Sequence, residues 1–294
     1  MAIFATGLGA PETPRLHPDG GWLCVEMAPP RTGITHVASD GTSRQIAAAG
    51  CPNGLSIDAK GNVWVADTAP PALLHVTMDG AVKTVLTAGD AGAFQLPNDL
   101  CFSPSGLLYM TDSGMTMADW VVDGAPRPDW QTADFNGKLW EIDIAAKTAR
   151  AIDQGLRFTN GIAFGPDGDL YINEMITGNI YRYDVTNGKV TGPRTNFSNV
   201  LAPQWPGGFR GPDGMCFSTD AQLWCTVYGE GVVAVISPDG VVTDRIATHG
   251  NAPTNVAFGP DGEAKIYVTE HEHGQIEVFD VDARGLPLFS GKPE

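Results

Sequence analysis

This chain is short of positive charge. Its 294 residues carry 18 Lys and Arg against 34 Asp and Glu, a formal net charge of −16, and the cations are scattered. Nucleic acid and anionic membrane surfaces select clustered Lys and Arg, so neither is an expected partner. Long apolar runs are also missing. There is no stretch of about twenty apolar residues, and the first residues lack a basic segment followed by a hydrophobic one, so a soluble, cytoplasmic protein is expected. Cysteine is sparse as well. Five thiols, an odd number without close pairs, do not make a disulfide framework and suit a reducing compartment. Cys24, Cys101, Cys216 and Cys225 fall in predicted strands as small hydrophobes, and Cys51 falls near a loop. No Gly-x-Ser-x-Gly elbow, Gly-Lys-Thr phosphate loop or strand-to-helix dinucleotide fingerprint occurs, which removes the parts of a serine hydrolase, a kinase or a dehydrogenase. Long helical periods are absent too.

What is present is a repeat. The phrases NGLSIDAKGNVWVAD from Asn53, NDLCFSPSGLLYMTD from Asn98, NGIAFGPDGDLYINE from Asn160, DGMCFSTDAQLWCTV from Asp213 and NVAFGPDGEAKIYVTE from Asn255 share one design. A worn first copy, ETPRLHPDGGWLCVEM, begins at Glu12. Each opens with a short alternating apolar segment, breaks at a turn, and resumes as a β-branched and aromatic run that mostly ends in an acid, which predicts an antiparallel hairpin. Runs such as 178–184 and 275–280 supply a third strand, and 82–86 a fourth. Six such units predict an all-β fold, a six-bladed β-propeller with four-stranded antiparallel blades. Residues 3–6 are expected to close the ring on the last blade, since an open ring leaves sheet edges unpaired. The unbroken repeat predicts one domain over 1–294, with a long loop on the site side at about 113–136.

In such a ring the innermost strands run in one direction, so their first residues converge on one mouth of the channel. Those residues are Glu12, Asn53, Asn98, Asn160, Asp213 and Asn255. Two carboxylates and four carboxamides offer hard oxygen donors, which suit Ca²⁺, Mg²⁺ or Mn²⁺ over thiolate-preferring metals. The plain alternative is that Asn-Gly and Asp-Gly are loop-to-strand turns. A turn does not explain Glu12, a poor turn former at the same repeat phase, so Glu12, Asn160 and Asp213 are read together as a site. Glu26, at the end of the next strand, is the rival of Glu12.

The phrases Glu12-Thr13-Pro14, Pro97-Asn98-Asp99-Leu100, Thr159-Asn160-Gly161-Ile162-Ala163-Phe164 and Gly211-Pro212-Asp213-Gly214-Met215-Cys216 resemble signature stretches of the senescence marker protein, regucalcin and gluconolactonase family. The resemblance runs in order from about residue 12 to residue 280. It implies a six-bladed propeller with one divalent metal at the channel mouth, held by Glu12, Asn160 and Asp213. Asn98 would contact substrate or a metal-bound water. It also implies lactone hydrolysis, while relatives of the same architecture hydrolyse phosphotriesters. Two departures stand out. Sugar-lactonase members carry an Arg shortly before the residue matching Asn98, where this chain has Gln95, Leu96 and Pro97. The loss of a bidentate cation points away from a hydroxyl-rich or carboxylated sugar. Arg15 and Leu16 stand where the family commonly has an apolar residue and Trp.

Loops over the same mouth supply further candidates. The 113–136 segment holds Met115, Met117, Trp120, Trp130 and Phe135, and reads as a lid or substrate wall, or as a self-packed buttress or oligomer contact. Trp205 and Arg210 precede Asp213 and are expected to add an aromatic wall and a cation. His271, in His271-Glu272-His273, is a candidate for substrate contact or proton transfer. The reading is therefore a metal-dependent lactonase acting on carboxylic ester bonds of a small molecule. Its cation is Ca²⁺ ahead of Mg²⁺, Mn²⁺, Zn²⁺ or Fe²⁺, and it acts as a Lewis acid. Asp213 serves as ligand and as general base or nucleophile, with Asn98 as its catalytic partner. Trp130, Trp205, Arg210 and His271, with Asn98, bind the substrate. The alternatives are a phosphotriesterase-like hydrolase or other metal-assisted carbonyl chemistry in the same cup, or a non-catalytic calcium-binding propeller. A monomer or small homo-oligomer is expected.

Overall fold

The computed structural model describes residues 1–18, 20–29 and 31–290. Asp19, within the first repeat's Pro-Asp-Gly turn, and the last four residues of the 1–294 span lie outside the described residues. Each repeat forms one four-stranded antiparallel sheet, and six of these sheets make the six blades. The innermost strands, in order, are Pro11–Leu16, Pro52–Ile57, Pro97–Phe102, Thr159–Phe164, Gly211–Phe217 and Pro253–Phe258. Each touches the next, and the last returns to the first, so they wall a closed central channel. Blade six owns only three sequential strands, and Ala2–Thr6 pairs antiparallel with Gln275–Asp280 as its outer strand. The amino-terminal strand thus closes the ring as expected and covers what would be a free edge.

The turns predicted between first and second strands form where the residues dictate. In blade four the Gly165 amide donates to the Asp169 carbonyl at 2.9 Å, and Gly168 sits at φ +82°, a conformation that only glycine adopts without strain. Between blades the packing is apolar. Six buried clusters each bridge two neighbouring blades, as where Trp64 and Leu73 of blade two meet Phe102, Met110 and Trp140 of blade three. Burying one such Leu or Phe stabilises the fold by about 1.5–3 kcal/mol. All five cysteines are free, and Cys24, Cys216 and Cys225 are buried in these strands.

Two recurrent details position the channel mouth. The acid that ends most second strands is an anchor for the backbone entering the inner strand. Asp67 accepts from Gly50 and Cys51, Asp112 from Gln95 and Leu96, Glu174 from Arg157, Glu270 from Ala252, and Glu26 from Gly9. Every inner strand is also irregular in its pairing near its start. In blade three Pro97 faces Asp112 and Leu100 faces Met110, so Asn98 and Asp99 together oppose Thr111. Residues 53 and 54, 160 and 161, 213 and 214, and 254 and 255 do the same in their blades, while in blade one the irregularity covers Thr13 and Pro14. Such bulges re-aim side chains, and here they fall at the mouth of the channel.

Candidate active site

Bulged residues of several blades, and Glu12 just ahead of the bulge in blade one, meet across the channel. Glu12 and Asp213 are 4% and 5% exposed. Their carboxyl groups hydrogen-bond to each other, and Asp213 also accepts from the Asn160 amide. Glu12 accepts from the backbone amide of Thr13 at 2.7 Å and from the side chain of Asn255. Burial pushes both carboxyls upward; the charge of Asp99 adds to it at Glu12, which reaches about 8, and the charges of Glu12 and Asp99 add to it at Asp213. Asn98 lies in the same ring, 2% exposed, and its Nδ2 donates to Ser113 Oγ at 3.1 Å. Ser113 spends its own proton on the Thr159 carbonyl at 2.8 Å. That fixes the amide so that Asn98 Oδ1 is buried without a protein partner.

The carbonyls of these residues are stitched to the neighbouring blade. Thr13 Oγ1 donates to Asn53 O at 3.1 Å, Thr111 Oγ1 to Asn160 O at 2.6 Å, and Asn173 Nδ2 to Asp213 O at 2.5 Å. A second-strand side chain therefore holds the main chain beneath Asn160 and Asp213, which keeps them in register with each other.

Glu26, the rival of Glu12, is committed elsewhere. It binds the Gly9 amide, Thr35 Oγ1 and Arg31, the last at 3.1 Å. Asn255 does not share the phase of Asn160. The pairing aligns Thr254 with Asn160 and sets Asn255 one residue deeper, level with Asp99. Sequence reasoning missed Asp99. It is 2% exposed, accepts from Asn255 Nδ2 across the channel at 3.4 Å, and lies 3.8 Å from Arg15. The signal was the residue after each motif's first: Gly54, Gly161 and Gly214 in three blades but Asp99 in another. A side chain on Gly214 would meet that of Asn255 at 2.0 Å, so glycine there makes room for its neighbour's polar group.

Beside the cup lie Met175 and His271, each following a second-strand anchor, and Tyr228, which ends the second strand of blade five. Met175 Sδ lies 3.8 Å from Asn160 Nδ2. The pKa of Tyr228 is raised by burial and by the charge of Asp213. The His271 ring lies 6.2 Å from that of Tyr228. Burial lowers the His271 pKa to about 4, so it is neutral at neutral pH; it bonds the Ala10 backbone, and its Nε2 has no partner. His273 instead stacks on His249 at 4.6 Å.

The 113–136 segment is ordered by its own short elements, a Thr116-capped helix Met117–Trp120 and a hairpin of Val121–Val122 with Ala125–Pro126. Met115, Trp120 and Phe135 pack inward with Phe158 and Met175, while Met117, Trp130, Phe209 and Tyr228 are half-buried around them. Trp130 meets Phe209 edge-on at 5.4 Å. Trp205 and Arg210 form a unit of their own. The guanidinium lies 5.4 Å from the indole centroid, and Arg210 Nη1 bonds Glu230 at 2.5 Å and the Ala202 carbonyl at 3.1 Å.

A propeller whose inner strands gather carboxylates and carboxamides at one channel mouth defines a class of oxygen-lined cups. The chain belongs to the SMP-30/gluconolactonase/LRE-like family, whose model matches residues 80–272. Gluconolactonase of Zymomonas mobilis is 28% identical over 227 residues, covering 74% of this chain and 61% of that protein. The 6-deoxy-6-sulfogluconolactonase of Pseudomonas putida is 32% identical over 143 residues, 48% of this chain and 47% of that protein. The chain thus spans about half to three-fifths of the length of these curated relatives. Regucalcin of Agrobacterium tumefaciens, a calcium-binding protein, has the same fold with a TM-score of 0.81 at 17% identity, over 99% of this chain and 97% of that one. Among the described residues no helix is long and apolar enough to cross a membrane.

Proposed function

We propose that this protein is a metal-dependent lactonase whose cation is held by Glu12, Asn160 and Asp213. The observation that carries the reading is the buried meeting of the Glu12 and Asp213 carboxyl groups beside Asn160, with Asn98 Oδ1 left without a protein partner. Two carboxylates forced together in a buried cup repel unless protons or a cation bind them, and the donor set is hard oxygen. The Asn160 carboxamide beside them adds a further oxygen donor, a set that favours calcium over thiophilic ions. The named activities of the Zymomonas and Pseudomonas relatives support the lactone as substrate.

A divalent cation bound there supplies Lewis-acid polarisation of the ester carbonyl. The chain's own groups do the rest. Asp213 takes a proton from the attacking water, or attacks the carbonyl carbon itself. Asn98, its amide fixed by Ser113, presents Oδ1 to the water or the substrate. His271 is neutral, and its free Nε2 accepts from a substrate hydroxyl. Trp130 with Phe209, Met175 and Tyr228 forms an apolar wall, so the preferred lactone is less polar than a plain aldonolactone. Arg210 is already neutralised by Glu230, and its contribution is to hold Trp205 under its guanidinium. A small-molecule substrate and a cytoplasmic setting complete the reading.

The test is to strip the protein with chelator and follow acid release from aliphatic and sugar γ- and δ-lactones as single divalent ions are restored. Turnover that returns with one ion and is absent in Asp213→Ala supports the proposal. Wild-type rates in Asp213→Ala would sink it. Single-turnover hydrolysis in ¹⁸O-water, followed by mass analysis of the protein, tests for direct attack, since label enters Asp213 only when water opens a covalent aspartyl intermediate at the aspartyl carbon.

A further inference from the structure

Three residues beyond the cup, five inner strands carry small side chains: Ser56, Cys101, Ala163, Cys216 and Ala257. Blade one carries Arg15 instead. The space left by the five lets that one long side chain lie in the channel, 6% exposed, beneath the acids. Its Nη1 donates to the Pro14 carbonyl at 3.1 Å, and its Nη2 lies 3.8 Å from Asp99 Oδ1. Asp99 is held from its other sides by the Leu100 amide at 2.8 Å and by Asn255 Nδ2 at 3.4 Å, both uncharged. Asp99 also acts by charge on Glu12 and Asp213. The cup therefore has three carboxylates within electrostatic reach. A divalent ion balances two of them.

We infer that Arg15 is the built-in counter-ion of Asp99 and that this pair sets how tightly the cup above it holds its cation. The inference rests on the metal-dependent reading of Glu12, Asn160 and Asp213. Its logic is charge balance in a poorly screened interior, where the effect of one unit charge on a divalent ion several ångströms away is large. Removing Arg15 exposes the cup to the full charge of Asp99, and removing the charge of Asp99 exposes it to that of Arg15. The two losses therefore move affinity in opposite directions, whereas loss of a merely structural ion pair would weaken binding in both.

Isothermal titration of the chelator-stripped chain with calcium alone reads this directly, without any substrate. Relative to wild type, Arg15→Met is expected to bind calcium at least about tenfold more tightly and Asp99→Asn at least about tenfold more weakly. The double variant is expected to return to within a few-fold of wild type. Circular dichroism and thermal melts establish that each variant is folded. If Arg15→Met does not fold, Asp99→Asn measured against the double variant gives the same contrast. Shifts of equal sign in the two single variants, or no shift in either, overturn the inference. A wild-type chain that binds neither calcium nor manganese overturns the metal-dependent reading, and this inference with it.

Discussion

The two ends of the central channel are built by the same six strands and share almost no chemistry. At the end where the strands begin, Glu12, just ahead of the bulge in blade one, meets the bulged residues Asp213, Asp99, Asn98, Asn160 and Asn255, all buried. A few residues further along, Leu100, Ile162, Met215 and Phe258 help to wall a cavity of about 270 Å³ that residues 285–289 close from outside. The tail is pinned there by the Leu286 amide on the Phe217 carbonyl at 2.9 Å and by Phe289 against Phe164 at 5.9 Å. The difference teaches where the repeat is free to do chemistry. A regular strand shows every second side chain to the channel, and the bulge adds a second polar residue only at the mouth. Beyond it the strands return to packing, apart from Arg15, which borders the cavity from beneath the acids.

The largest expected effect lies at the mouth. Asp213→Asn should lower turnover by about 10²–10⁴-fold, the range for loss of a positioned acid–base group, and any loss of metal adds to it. The fold should be intact, and the metal-free melting temperature equal to or above that of wild type, because a repelling charge is gone. A variant that is inactive because it is unfolded would break the contrast between a chemical end and a structural end.

The second effect is a pH dependence. A carboxyl whose pKa is raised in the fold holds its proton more tightly there than in the unfolded chain. Its contribution is complete at low pH and is lost as pH rises from the ordinary carboxylate range toward the folded value, about 8 for Glu12. Metal-free protein should thus lose stability between about pH 5 and pH 8. Calcium should raise the melting temperature more at pH 8 than at pH 5, and Glu12→Gln should flatten both trends. Thermal melts across that range with and without calcium are the measurement, and a calcium effect independent of pH would contradict the paired-carboxylate cup.

The fold was legible in the sequence because a propeller repeats its whole design in each unit: turn chemistry, apolar alternation and ring closure by residues 3–6 all recur in the structure. The convergence of Glu12, Asn160 and Asp213 was legible for the same reason. Asp99 was not, because alternation assigns only one of two adjacent residues to a face, and a bulge breaks that rule without a signature of its own. Asn255 was placed one step off, since its phrase begins a residue later than those of Asn98 and Asn160. The acid closing most hairpins reads as part of the motif, yet its work as a loop anchor depends on backbone amides that no side-chain pattern reports. Arg210 was expected as a site cation, and its ion pair with Glu230, twenty residues away in sequence, is a contact that periodicity does not carry.

The rim lies between the two ends in expected effect. Trp130→Ala removes the ring that meets Phe209 at 5.4 Å and should raise KM about tenfold for lactones with an alkyl or aryl substituent, in line with the 1–3 kcal/mol that an apolar pocket contact provides. An unsubstituted γ-lactone has no apolar group to place against that wall, so its KM should hold. Equal losses on both substrates would mean that Trp130 only buttresses the loop.

The smallest effect belongs to the closed end, and it is the sharpest check on the comparison because it predicts a dissociation. Phe289 is 36% exposed and meets Phe164 edge-on. Phe289→Ala should therefore cost no more than about 1 kcal/mol, the scale of one aromatic pair, seen as a small fall in the denaturation midpoint. The kcat/KM for any lactone should be unchanged, since the tail touches the inner strands past the bulge, where Phe164 and Phe217 are fixed by blade packing and not by the cup. A change in kcat/KM that exceeds the change in stability would mean that the tail reaches the mouth through the channel, and the two ends would then have to be treated as one site.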